Sequence, residues 1–263
     1  MAEPQDNNKT LHFAVLPPEG SRFAARLRYW WCWTVAGAML IAIGLPTIMF
    51  LWLIGSKTSM YPLANFGART WLKACGAWVR VTGREHLDAD TQYVFVSDHR
   101  SYLDTATLFA FTGKSMGLVA KKELQKVPVL GRGMSFVNII AIDRSNAERG
   151  RQSMEKAREV IDEGYSFGVF AEGTRAMPGE LLPFKKGAFH LAIQTQAAIV
   201  PVAIKNTDRM MPKSGGVAYP GEIEMVLLPP ISTEGKTSDD VMELLLKTRA
   251  EIARELRANN QKN

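Results

Sequence analysis

His99 and Asp104 stand five residues apart in the stretch DHRSYLD, Asp98 to Asp104, directly after the apolar run Tyr93 to Ser97. An imidazole backed by a carboxylate is what proton abstraction from an alcohol needs. The carboxylate fixes the tautomer and stabilises the imidazolium, and the second ring nitrogen takes the proton. The spacing allows the two to meet. YVFVS reads as a buried strand, and Ser101 to Phe111, with Leu103, Ala106, Leu108 and Phe109 on one stripe, reads as a helix. Asp104 then sits about one turn in and can reach back to an imidazole at the carboxyl end of the strand, where open α/β sheets place their sites. The same residues admit a purely structural account. Ser101-x-x-Asp104 fits a capping box that satisfies free amides at a helix start, and spacing alone does not choose between the two.

Three further clusters fall just past strand-like runs: Lys121 with Lys122, the triplet Ile142-Asp143-Arg144, and Phe170 to Arg175, FAEGTR, in which Glu172, Gly173, Thr174 and Arg175 follow a strand into a glycine turn. Cations converging near free turn amides make a site for an anionic group, phosphate above all. Taken singly, Arg144 and Arg175 read more simply as solvated or ion-paired residues, and Glu172 as the partner of one of them. Gly164-Tyr165-Ser166-Phe167-Gly168 spells the hydrolase pattern G-x-S-x-G, but in reversed context. That pattern needs strand, turn, helix, whereas Ser153 to Glu163 looks helical, so Gly164 reads as its C-terminal stop. Two cysteines and four histidines offer neither a disulfide framework nor a zinc constellation, so no metal site is expected.

The elements that must position these groups begin near Gly83, beyond which strand-like and helix-like segments alternate. The expected strands are Tyr93–Ser97, Met116–Ala120, Ile139–Ile142, Phe167–Ala171, Ile199–Ile204 and Glu222–Leu227; the expected helices are Ser101–Phe111, Asn146–Glu163, Lys186–Thr195 and Thr237–Ala258. This is an α/β pattern, a mostly parallel sheet covered by helices, with an N-terminal membrane-embedded helical segment. The organisation expected is a loose tail over residues 1–28, membrane-embedded or interfacial helices over 29–82, and the α/β domain over 83–263.

Charge places the membrane-facing part. The chain has a formal net charge of +6, yet Gly20 to Arg84 contains eight basic residues and no acidic one, which leaves the remainder mildly acidic. All six tryptophans lie in the same window. Aromatic and basic residues together suit a lipid headgroup boundary and argue against nucleic acid. Tyr29 to Ser56 carries no charge, and a straight helix of that length, at about 1.5 Å per residue, exceeds a hydrocarbon core of about 30 Å. Gly44 and Pro46 interrupt it and both flanks are basic, so a tilted span and a re-entrant pair both stand, with the interruption favouring re-entry. Lys57 to Arg80 reads as an interfacial helix. A cleaved secretory signal is not expected from a run this long with 28 residues before it.

Taken in order, His99-x4-Asp104, then IDR, then EGTR, then the IVPVAI run containing Pro201, resemble the glycerolipid acyltransferases, and among them those that acylate lysophosphatidate. The likeness covers about Gly83 to Pro230, including VAKKEL, PVLGR and LLPFKKGAFHLA. It implies that His99 is the general base and Asp104 its orienting partner. It further implies that Arg144, Glu172, Gly173, Thr174 and Arg175 hold the acceptor's glycerol phosphate with Lys121 near the same phosphate, while the run around Pro201 is structural or acyl-lining. Asp98 stands where the family often has Asn, Ala171 where Pro precedes the Glu, and Asn138 where Gly precedes IDR; Asn tolerates left-handed backbone best after Gly. The implied reaction is direct transfer, without an acyl-enzyme, from acyl-CoA or acyl carrier protein to the sn-2 hydroxyl of 1-acylglycerol 3-phosphate. No cofactor beyond that co-substrate is expected. A positioned base contributes about 10²–10⁴-fold, or roughly 3–5 kcal/mol. The resemblance also implies attachment to a phospholipid bilayer, with the catalytic side on the cytoplasmic face of a bacterial inner membrane. Three alternatives stand beside it: another lysolipid acceptor, such as lyso-ornithine lipid or another lysophospholipid; a membrane esterase using Ser166; and a non-catalytic phospholipid binder, which would not need His99.

Overall fold

The structure, a computed structural model, describes residues 8–54, 60–142 and 147–258. In chain order the strands are β1 (Leu11–His12), β2 (Ala77–Thr82), β3 (Val94–Ser97), β4 (Met116–Lys121), β5 (Ile139–Ile142), β6 (Ser166–Phe170), β7 (Glu180–Leu181), β8 (Ile199–Lys205) and β9 (Gly221–Leu227). The helices are α1 (Arg22–Met39), α2 (Leu45–Ile54), α3 (Met60–Ala74), α4 (Tyr102–Phe111), α5 (Leu130–Met134), α6 (Ala147–Asp162), α7 (Gly187–Thr195), α8 (Thr207–Met210) and α9 (Val241–Ala258).

Seven strands form one sheet in the order β2-β9-β8-β3-β6-β4-β5, parallel throughout except for the β8–β9 pair. β3 lies near the middle between β6 and β8, and all four of its residues are buried. Because side chains alternate faces along a strand, Val94 and Val96 enter a core with Phe189 and Leu191 of α7 and Leu245 and Ile252 of α9. Phe95 enters the opposite core with Leu72 of α3 and with Leu103 and Leu108 of α4. Strands covered on both faces read as continuous apolar runs, which is why β3, β5 and β8 were visible in the sequence. The carboxyl end of β3, at Ser97, opens beside Phe170 of β6 and Val202 of β8.

α4 is held at both ends. At its start Ser101 Oγ accepts from Leu103 N at 3.2 Å and Asp104 Oδ2 accepts from Ser101 N at 2.7 Å, which completes the capping box. At its end Arg69 Nη2 donates to Ala110 O at 2.9 Å and Arg84 Nε to Phe111 O at 3.1 Å. Arg28 Nη1 donates to Ala218 O at 3.2 Å, and Arg80 pairs with Glu222 and Glu224. Several cations that the sequence assigned to a membrane surface are therefore committed to the protein itself.

Two segments differ from expectation. Residues 77–82, read as the end of an interfacial helix, form β2, the edge strand paired in parallel with β9. Its outward Trp78, Arg80 and Thr82 mimic the polar face of a helix, and only the alternation with Ala77, Val79 and Val81 distinguishes it. The tail is not loose over Asn8 to Phe13. β1 pairs antiparallel with β7, Phe13 N donates to Gly179 O at 2.7 Å, and the Asn8 side chain both donates to Phe184 O and accepts from Phe184 N, at 3.0 and 2.7 Å. This strap pins the loop that follows the EGTR turn.

α1 and α2 form one helix, because the turn at Leu40–Gly44 widens to π geometry, with Leu45 N donating to Leu40 O. Pro46 has no N–H and its ring would strike the carbonyl four residues back; the wide turn absorbs this, and Thr47 Oγ1 donates to Ile43 O at 2.8 Å. Arg22–Leu51 is long and apolar enough to cross a membrane, with a mean hydropathy of 2.1 and only 11% of its apolar window buried, so it is not a core helix.

Gly83 and Gly113 both adopt left-handed backbone, at φ +87 and +85, but a Cβ at Gly83 would lie 1.8 Å from Leu227 O whereas at Gly113 it meets nothing. Gly113→Ala should cost about 1–2 kcal/mol for the backbone alone, and Gly83→Ala distinctly more. Denaturant titration of both variants beside the parent protein measures the difference.

Candidate active site

His99 lies two residues beyond β3, its side chain 14% exposed, with the ring stacked on Phe170 at 4.1 Å between centroids. Its Nδ1 is 3.1 Å from Asp104 Oδ2. The same carboxylate oxygen accepts from Arg100 N at 2.6 Å and from Ser101 N at 2.7 Å. Asp104 is fully buried. An acceptor-only carboxylate calls for the proton on Nδ1, so Nε2 carries the free lone pair. The structure thus brings together the two residues whose spacing suggested a catalytic pair, and the capping box coexists with that pair.

The loop carrying His99 is fixed from both sides. Glu172, 3% exposed, accepts from His99 N at 2.7 Å through Oε1 and from Leu182 N at 2.8 Å through Oε2. It braces two backbone segments. Burial pushes its carboxyl up to about 8, with the charge of Asp98 adding and the two amides and Arg100 opposing. Ala176 N donates to His99 O at 2.8 Å, so the chain returns past the imidazole after the turn. On the other side Arg100, 5% exposed, bonds Asp98 through Nε at 3.1 Å, Asp208 through Nη1 at 2.8 Å and Ile204 O through Nη2 at 2.8 Å. Asp98 Oδ1 accepts from Ile204 N at 2.9 Å. Burial pushes the Asp98 carboxyl up to about 6, against the pull of Arg100. A carboxylate at position 98 therefore makes a buried ion pair that an asparagine could not.

The EGTR turn closes with Gly173 N donating to Phe170 O at 3.0 Å. Gly173 has φ +70, a left-handed backbone that favours glycine, whereas the Lys185 side-chain end that a Cβ would meet at 2.9 Å is free to shift. Thr174 is exposed. Arg175 lies with its guanidinium over the Tyr102 ring, 3.7 Å from the centroid. Lys121 is on β4, two strands from β3, 64% exposed and 3.5 Å from Glu123. Arg144 and Asp143 lie outside the described residues; Lys121 pairs in register with Ile142, the last described residue before them. Asn138 adopts the left-handed backbone expected of it, φ 53.

Ser166 opens β6, at the amino end of the parallel strands and so at the opposite end from His99, and is 2% exposed. Its Oγ accepts from Tyr93 N at 3.1 Å. Gly164 N donates to Ile161 O and Tyr165 N to Val160 O, which is the hydrogen-bond pattern of a glycine helix stop. Among the described residues the side-chain hydrogen bond of that serine is to a backbone amide and not to a base, and the G-x-S-x-G match is a turn. Sequence reasoning missed Arg100, Asp208 and Tyr102. Arg100 to Asp208 spans 108 positions, and no local pattern signals such a pair.

Residues 78–205 match a family model described as Acyltransferase. A 1-acyl-sn-glycerol-3-phosphate acyltransferase of Saccharomyces cerevisiae is 37% identical over 180 residues, covering 67% of this chain and 59% of the relative. The alpha 1-acyl-sn-glycerol-3-phosphate acyltransferase of Mus musculus is 37% identical over 171 residues, 64% and 60% of the two chains. The chain thus spans about three fifths of the length of these curated relatives. The crystal structure of the 1-acyl-sn-glycerophosphate (LPA) acyltransferase PlsC from Thermotoga maritima superposes with a TM-score of 0.73 at 22% identity, covering 88% of this chain and 97% of that one.

The raised Glu172 carboxyl makes a pH prediction. Its folded value of about 8 lies above the ordinary 4.5, so between the two the folded protein holds a proton that the unfolded chain has released. Stability from this group is complete below pH 4.5 and drains as pH rises through 8, with a slope of at most about 1.4 kcal/mol per pH unit. Denaturant midpoints measured from pH 5 to 9 should fall for the parent protein and stay flatter for Glu172→Gln.

Proposed function

We propose that this chain, which matches the Acyltransferase family model over residues 78–205, transfers an acyl chain from an acyl thioester to the sn-2 hydroxyl of 1-acylglycerol 3-phosphate, forming phosphatidate. The observation that carries this reading is the His99 Nδ1 to Asp104 Oδ2 contact at the open end of β3. With Nδ1–H committed to the carboxylate, His99 Nε2 takes the proton of the acceptor hydroxyl as its oxygen attacks the thioester carbonyl carbon. The C–S bond then breaks, and the departing sulfur receives that proton from the imidazolium. Donor and acceptor meet directly, so no serine or cysteine ester intervenes. The donor thiol is that of CoA or of acyl carrier protein.

Arg175 directly precedes the residue whose N–H bonds His99 O and has no carboxylate partner among the described residues, which supports it as the seat of the acceptor's phosphate; Arg144 and Lys121 complete the reading. Glu172, Gly173 and Thr174 contribute by shaping the turn. A lipid acceptor also accounts for the apolar helix. α1 and α2 touch the α/β part along much of their length, from the Ala218 N bond to Ala25 O to the approach of Ile48 to Gly133. Their opposite face leaves Phe23, Trp30, Trp31, Ile41, Met49, Phe50 and Leu53 exposed. A helix held along a catalytic domain while baring an apolar face suits insertion into one leaflet, beside which the site stays within reach of a lysolipid. We assign that leaflet to the cytoplasmic side of a bacterial inner membrane, where acyl thioesters are made.

His99→Ala should abolish transfer from a radiolabelled donor to lysophosphatidate, and Asp104→Asn should lower it by orders of magnitude. Ser166→Ala should leave turnover within a few-fold of the parent; comparable loss in Ser166→Ala would return the esterase reading. Arg175→Ala should lower kcat/KM for lysophosphatidate about tenfold to a hundredfold, from the roughly 1.5–3 kcal/mol of a charged hydrogen bond. Arg175→Lys should recover part of this, since a point charge replaces a planar fork. Equal weakening of lysophosphatidate and of monoacylglycerol acylation by Arg175→Ala would remove the phosphate assignment.

A further inference from the structure

Tyr102 is the first residue of α4, between the loop that carries His99 and the carboxylate that orients it, and nothing in the reaction above uses it. Its ring is 43% exposed and lies beneath the Arg175 guanidinium at 3.7 Å. It also meets Trp33 of α1 edge to face, with 5.5 Å between centroids and 89° between planes. Trp33 is in turn packed on Trp71 of α3 at 5.6 Å and on Tyr29 at 6.1 Å. The Arg175 backbone is tied down separately, since Lys213 Nζ donates to Arg175 O at 2.6 Å and the next residue's N–H bonds to His99 O. Its side chain forms no ion pair among the described residues, and its buried Nη1 has no hydrogen-bond partner among them.

A guanidinium held by an aromatic face keeps its whole charge and its in-plane donors, because the ring quadrupole attracts the cation without occupying an N–H. A carboxylate in the same place would hold Arg175 more tightly but would compete with any anion for it. We propose that Tyr102 is the positioning residue for Arg175. Its ring fixes the plane of the guanidinium so that the unpartnered donors await the acceptor's phosphate, and Trp33 fixes the ring, which ties the phosphate subsite to the membrane-facing helix. This rests on the reading of Arg175 as the phosphate-binding residue and adds what holds it ready.

The test is steady-state kinetics of the full chain in phospholipid micelles, varying lysophosphatidate, with whichever of palmitoyl-CoA and palmitoyl-acyl carrier protein the parent enzyme turns over. Tyr102→Leu should raise KM for lysophosphatidate about three- to fivefold, the loss of a partly exposed cation–π contact, with the effect on acceptor KM and not on donor KM. Tyr102→Phe, which keeps the ring, should stay near the parent value. Trp33→Leu should shift acceptor KM in the same direction by a smaller factor. In an Arg175→Ala background, Tyr102→Leu should add nothing. An unchanged acceptor KM in Tyr102→Leu, with Arg175→Ala raising it, overturns the proposal and leaves the phosphate reading standing. Independent, multiplying effects in the double variant overturn it too, as does a Tyr102→Phe defect equal to that of Tyr102→Leu. If Arg175→Ala itself leaves acceptor KM unchanged, the phosphate reading fails and the proposal fails with it.

Discussion

One oxygen of one buried carboxylate organises this site. Asp104 Oδ2 accepts from the imidazole Nδ1 and from the amides of Arg100 and Ser101, while Oδ1 is buried with no partner among the described residues. A charge taken out of water is costly unless its lone pairs are met, so the loop must bend to bring all three donors to the same atom. Helix capping, loop shape and histidine tautomer are therefore a single interaction. The favourable field of the α4 amino terminus adds to it. What Asp104 does from within, Glu172 and Arg100 do from the flanks, each closing the loop on a different neighbouring segment.

Much of this was legible in the sequence, for a physical reason. Strands buried on both faces must be apolar along their length, and helices that cover them must carry one apolar stripe, so β3, β5, β8 and α4 were placed within a residue, while α9 ends where expected and begins four residues later. His99 and Asp104 are linked through one turn of helix, a distance that local spacing encodes. Gly164 was readable as a stop because its neighbours on each side had opposite periodicities.

What was not legible depends on partners far away in the chain. β2 is an edge strand whose outward residues include Trp78 and Arg80, and six alternating residues after a helix resemble its continuation. The strap from Asn8 to Phe13 exists only because β7, some 170 residues on, offers an edge. Read from its neighbours alone Glu172 was a partner for a nearby cation, and only the positions of His99 N, far off in the chain, and of Leu182 N reveal that its two oxygens brace the backbone. The basic residues before Arg84 told a similar half-truth. Arg69 and Arg84 serve the carboxyl end of α4 and Arg28 serves Ala218 O, while the exposed apolar face of α1 and α2 carries the membrane signal more directly than the charge does.

The account stands or falls on the protonation of one ring. With four histidines in the chain, ¹⁵N-histidine labelling in micelles, with His99 assigned by its loss in His99→Gln, reads each ring nitrogen separately. In the neutral state the account predicts a protonated, hydrogen-bonded Nδ1 and an unprotonated Nε2 for His99, with that preference lost in Asp104→Asn. A resting His99 with its proton on Nε2 would contradict it, since the nitrogen facing the substrate would then have no lone pair with which to act as a base.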